Sequence, residues 1–112
     1  MRPARLNRAL MLETPLRRPD GAGGFDQGWA ALGTLWAAIE ARSGRDLDDM
    51  GAALSRVLLR IKVRAAPPGS SMRPQAGQRL REGARLFAIR AVREADPDGR
   101  YLICEAEEEV AR

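Results

Sequence analysis

The 112-residue chain has no histidine, one cysteine and one lysine, and only 4% of it is aromatic. Each shortage closes off a kind of chemistry. Without histidine the commonest general base is missing, and Ser43, Ser55, Ser70 and Ser71 lie in no nucleophile-elbow context, so no enzyme is expected. Cys104 has no second thiol to pair with, which excludes an intrachain disulfide and, in the absence of histidine, a zinc cluster. It sits in an apolar, strand-like run and reads as a buried, inert thiol. So few aromatics leave no platform for stacking bases, which argues against sequence-specific nucleic-acid reading. No apolar run approaches the roughly 18–20 residues of a membrane-spanning helix. The early arginines precede no apolar leader region or cleavage site, so a protein made in the cytoplasm, without a membrane partner, is expected.

What remains is ordinary globular material, 45% hydrophobic and 30% charged, long enough for one domain over residues 1–112. The net charge is +4 and the pI is near 10.5, carried almost entirely by arginine. Richness in arginine and alanine suits a GC-rich genome as well as selection for charge. A basic balance fits phosphates or acidic protein partners and does not choose between them. Asp20-Gly21-Ala22-Gly23-Gly24 is neither a phosphate-binding Walker loop nor a dinucleotide fingerprint. Asp46, Asp48 and Asp49 lack the ligand spacing of a calcium loop and read as helix N-terminal charge, so no metal or cofactor is expected.

Along the chain, Leu6, Leu10 and Leu12 suggest an opening strand that ends at Thr14-Pro15. Residues 14–28 then read as a long, exposed, glycine-rich loop. Over 29–41 the residues alone leave two readings. Trp29, Leu32, Leu35 and Ile39 recur at helical spacing in an alanine-rich segment. An extended chain would instead put Leu35, Ala37 and Ile39 on one face, with Trp36 and Ala38 on the other. Residues 43–55 read as a short helix: Ser43 and Asp46 form a capping-box-like start, and Leu47, Met50 and Leu54 share a face. Residues 56–65 alternate cleanly, with Val57, Leu59, Ile61 and Val63 opposite Arg56, Arg60, Lys62 and Arg64. A Pro/Gly/Ser loop over 66–77 precedes a short strand at Gln78–Glu82. Arg85–Glu94 and Arg100–Glu107 flank a turn containing Pro97 and Gly99, and read as a hairpin whose Phe87, Ile89, Leu102 and Cys104 face inward.

The ordered series DGAGG, Trp29, Trp36-Ala37-Ala38-Ile39-Glu40, Ser43-Gly44-Arg45, Arg60-Ile61-Lys62-Val63-Arg64, Gly83-Ala84-Arg85-Leu86-Phe87 and Leu102-Ile103-Cys104 resembles the phage head-tail joining proteins, also called head-closure or stopper proteins, including those of gene transfer agents. The resemblance implies a mostly β fold, a small antiparallel β-barrel or sandwich with one short helix and long loops. It also implies extended structure over Thr34–Ala41, with Gly33 as a bend. The function it implies is structural: a homo-oligomeric ring in the virion between the portal and adaptor proteins and the tail terminator or tail tube. Such a ring retains packaged double-stranded DNA, which it contacts non-specifically, and docks the tail. On this reading Arg56, Arg60, Lys62 and Arg64 are candidate phosphate contacts, against the plainer alternative of a solvated strand face. Arg45, Leu47, Met50 and Leu54 are a candidate channel-closing or interface segment, against a lid on the barrel end. Asp20, Gly21, Gly23, Gly24 and Phe25 are a candidate ring-docking loop, against a flexible connector. Trp29 and Trp36 read as core or subunit interface, and Phe87 as core. A monomeric β-barrel binding nucleic acid or protein is the alternative function.

Overall fold

The computed structural model describes residues 5–41 and 56–109. Six strands run in order: β1 Arg8–Pro19, β2 Phe25–Ala41, β3 Arg56–Arg64, β4 Arg79–Glu82, β5 Arg85–Glu94 and β6 Tyr101–Glu109. All pairings are antiparallel, and the sheet closes on itself as a barrel in the order β1-β2-β3-β6-β5-β4. Closure removes the edges that an open sheet leaves exposed. The expected helix over 43–55 lies outside the described residues, as do Arg45, Leu47, Met50 and Leu54.

Period-two alternation builds the core. Leu10 and Leu12 of β1, Ala37 of β2, Leu59, Ile61 and Val63 of β3, Leu80 of β4, Phe87 and Ile89 of β5, and Leu102, Cys104 and Ala106 of β6 point inward and are buried. Cys104 is therefore shut in, and desolvation first, with the Glu105 charge second, pushes its thiol up to about 12. Two bulges shift the alternation. The β1–β2 register slips between Leu12 and Glu13, leaving Leu32 as the extra residue beside Gly33, whose φ of 154° only glycine adopts readily. A second slip between Ile89 and Ala91 leaves Arg90 extra, so the inward set on β5 continues from Ile89 to Val92.

Three sequence expectations are corrected. The first strand does not end at Thr14-Pro15: it runs to Pro19 and pairs throughout with β2 down to Pro19↔Phe25. Residues 14–28 are accordingly not a loop but most of a two-stranded ribbon, and only Asp20–Gly24 turns. Proline survives in β1 because the ribbon beyond Glu13 has no second neighbour, as β4 pairs only with Met11–Glu13. Residues 29–41 are strand throughout, the outcome the resemblance implied; alanine's helical propensity yields to pairing on both sides. Finally, Trp36 is not core: it is 59% exposed on the outer face of β2, and Trp29 is 41% exposed.

Candidate functional site

The barrel has two dissimilar ends. At one end β1 begins, β2 runs out at Ala41, β3 begins at Arg56 and β4 turns into β5. Here the inward positions carry charge. Arg8 donates from Nε to Glu82 at 2.8 Å and from a terminal nitrogen to the other carboxylate oxygen. Arg85 makes a bidentate pair with Glu108 at 2.7 and 2.8 Å, and lies 3.7 Å from Glu82. The four side chains form an alternating chain of charge across this mouth.

The hydrogen bond from Arg8 holds the Glu82 carboxyl below the ordinary range, and that from Arg85 does the same for Glu108. Both folded-state values are depressed, so their contribution is complete above the ordinary glutamate value of 4.5 and is lost as pH falls through the lower folded values. Thermal melts from pH 7 downward should show stability falling below about pH 4.5. Replacing Glu82 and Glu108 together by glutamine should flatten that fall; an unaltered acid slope would show that this network does not set it.

The outer face of β3 carries the basic row. Its register places Arg56 opposite Glu109, Leu58 opposite Glu107 and Arg60 opposite Glu105. Arg60 lies 3.8 Å from Glu105, which Arg93 of β5 also engages at 2.8 Å, while Arg90 pairs with Glu107 at 3.2 Å. The acidic column of β6 thus runs between two basic columns. Lys62 and Arg64 face Ile103 and Tyr101 instead, and both cations sit over the Tyr101 ring, at 5.9 and 5.6 Å. The row is therefore divided into a partly neutralised Arg60 and a Lys62–Arg64 pair facing no carboxylate across the strand.

At the opposite end the β1–β2 ribbon projects, accompanied by the loop between β3 and β4 and by the β5–β6 turn. The ribbon's tip is built by Asp20. Its carboxylate accepts from the Ala22 and Gly24 N–H groups at 2.8 and 3.0 Å, and its own N–H donates to the Gly24 carbonyl at 3.1 Å. Gly21 and Gly23 take φ values of 80° and 87°, which explains why glycines stand there. The backbone bonds, that from Ala22 first, hold the Asp20 carboxyl below its usual range. Phe25 starts the return strand, 55% exposed, with the Arg17 guanidinium 4.3 Å from its ring.

The ribbon's root carries an arrangement the sequence did not reveal. Glu13 is only 6% exposed and takes Arg79 on one oxygen at 2.7 Å and Arg81 on the other at 2.9 Å. Arg79 in turn stacks on Trp29 at 4.1 Å. Burial works to raise the Glu13 carboxyl, but the two arginine hydrogen bonds outweigh it and hold it below the ordinary range. Trp36 stands apart, beside a shallow hollow of about 340 Å³ lined by Leu6, Thr34, Leu35 and Arg64. The two tryptophans thus mark separate outer surfaces. Among the described residues no three acidic or thiol groups gather as a metal site, and no helix is long and apolar enough to cross a membrane.

A family model described as phage head completion protein matches residues 1–109. Among solved structures, a chain in the virion of a native gene transfer agent particle is 50% identical, with a TM-score of 0.81, covering 99% of this chain and 100% of that one. Protein SF1141 from Shigella flexneri 2a superposes with a TM-score of 0.70 over 100% of both chains, and at 22% identity it speaks to the fold alone. Among curated proteins none matches.

Proposed function

Since the chain belongs to the phage head completion protein family, we propose that it is a structural head–tail connector subunit of a virion or gene transfer agent particle. Copies form a ring between the portal and adaptor proteins and the tail terminator or tail tube. The ring closes the filled head around its DNA and presents a docking surface to the tail. The observation that carries this reading is the full-length, 50% identical match to a chain of a gene transfer agent virion.

The geometry supports it. A closed barrel fixes subunit shape without an active site, and its two ends differ enough to meet two different neighbours. The ribbon and its Asp20–Phe25 tip are suited to reach an adjacent ring, where many copies convert weak contacts into firm attachment. The Lys62–Arg64 pair, seated over the Tyr101 ring, offers diffuse attraction to DNA phosphates. We assign channel closure to the segment holding Arg45, Leu47, Met50 and Leu54, which lies in sequence between β2 and β3.

Particles produced without this chain should accumulate as tailless heads that lose their DNA to added nuclease, and supplying the purified chain should restore tail attachment. Particles that keep DNA and gain tails without it would overturn the assignment.

A further inference from the structure

The ribbon has two long edges, and only one of them is guarded. The Asp20 N–H to Gly24 carbonyl bond fixes the phase of the antiparallel ladder. Counting back in twos, Arg18 and Asp26, Leu16 and Gly28, and Thr14 and Ala30 face each other with their hydrogen-bonding groups. Pro15, Arg17 and Pro19 on β1, and Phe25, Gln27 and Trp29 on β2, therefore direct theirs outward. On β1, two of those three outward positions are prolines, which have no N–H to offer, and this is how an edge is normally blunted. On β2 all three keep the N–H and the carbonyl. Among the described residues no strand other than β1 pairs with β2 between Phe25 and Trp36, because β3 joins only at Ala37.

We propose that the outer edge of β2 over Phe25–Trp29 is a strand-addition site for an extended segment of a different virion protein, a mode of recognition that uses main-chain bonds for affinity and side-chain pockets for choice. The inference rests on the head–tail joining reading and names how that contact is made. The segment's chemistry follows from the two faces beside the edge. On the outer face its side chains would lie beside Phe25 and Trp29, which calls for apolar residues at alternate positions. Beside Gly28 a hollow of about 300 Å³, lined by Leu16, Arg18, Asp26, Gln27 and Trp29, leaves room for one large side chain. A second copy is a poor source for that strand. Its barrel is closed and its β1 edge keeps a single donor, at Arg17 between two prolines, so among its described residues the edge best able to pair is its own β2 edge. Pairing β2 with β2 is isologous and closes a dimer, which cannot propagate around a ring.

The test uses the full-length chain as wild type, Gln27→Pro and Gln27→Ala. Each is mixed with DNA-filled heads purified from a producer lacking this chain, and co-sedimentation is measured. The Gln27 N–H makes no bond to β1, so proline there removes one outward donor and blocks the edge while leaving the ribbon intact. Wild type and Gln27→Ala should attach alike, and Gln27→Pro should attach at least about tenfold more weakly, with an unchanged thermal melt. Equal attachment of a folded Gln27→Pro chain would overturn the edge site while leaving the joining function standing. Should Gln27→Pro fail to fold, amide exchange of wild type decides: residues 25–29 should slow on attachment, and unaltered exchange would overturn the proposal. Failure of wild type to attach to heads at all would overturn the joining reading and this inference with it. A Gln27-dependent dimer of the free chain would overturn the assignment to a different protein.

Discussion

Phe87→Ala should lower the unfolding free energy by about 3–5 kcal/mol, the usual cost of emptying a buried phenylalanine site. Phe87 is fully buried, paired with Leu80 across β4 and set opposite Glu108 of β6, with the Arg85 guanidinium 5.0 Å from its ring. Among the described residues it is the largest fully buried side chain, on a strand held by ladders on both sides. Such a barrel cannot collapse far into the void, so the cavity's cost adds to the lost transfer energy. A domain of this size has roughly 5–15 kcal/mol in total, so the variant should sit near the edge of folding at growth temperature. Urea denaturation would show a reduced midpoint with little change in slope. The other phenylalanine supplies the contrast. Phe25→Ala, at a site 55% exposed, should change stability by no more than about 0.5 kcal/mol. Similar losses at the two sites would contradict a barrel closed around Phe87.

The contrast shows what the chain discloses unaided. The β3 alternation and the β5–β6 hairpin were legible because one face of each meets the core and a turn with Pro97 and Gly99 fixes the register. The ribbon was not. Pro15, Pro19 and the glycines carry loop composition, and nothing in a linear reading shows that the prolines fall on outward-facing positions of an unpaired edge. Between Phe25 and Ala41 the bulge at Leu32–Gly33 interrupts the period of two, so helical spacing fitted as well as strand spacing until pairing decided it. Trp36 looked like core for the same reason: its size suggests burial, while its phase on β2 turns it outward. Of the candidate site, the Arg60, Lys62 and Arg64 row could be read from alternation alone. Its partial neutralisation could not, because that depends on the β3–β6 register that brings Glu105 across from Arg60.

Glu13 is the sharpest case, and it carries the second large prediction. In sequence it follows Leu10, Met11 and Leu12 and looks like a solvent-facing strand position. Its importance comes from β4, where pairing with Arg79 places two guanidiniums over one shielded carboxylate. Glu13→Ala should cost about 2–4 kcal/mol, because it strips two charge-assisted hydrogen bonds and leaves Arg79 and Arg81 repelling each other beside a void. Glu13→Gln should cost less, since an amide oxygen still accepts one of the two. The arginines should not be equivalent. Arg79, with its side chain 21% exposed and stacked on Trp29, should matter more than Arg81, 43% exposed. Because the folded Glu13 value is depressed, the wild-type advantage over Glu13→Gln should be complete above the ordinary value of 4.5 and shrink as pH falls through the folded value. Trp29 gives a local readout: losing the Arg79 stack should change its emission and speed its quenching before global unfolding begins. If Glu13→Ala melts within about 0.5 kcal/mol of wild type, the cluster is an ordinary surface ion pair. If it melts early but the Trp29 signal moves only with the global transition, the cluster stabilises the barrel without steadying the ribbon. The expected result is an early change at Trp29, because the carboxylate ties β1 to β4 at the last position where β1 still has a strand on each side.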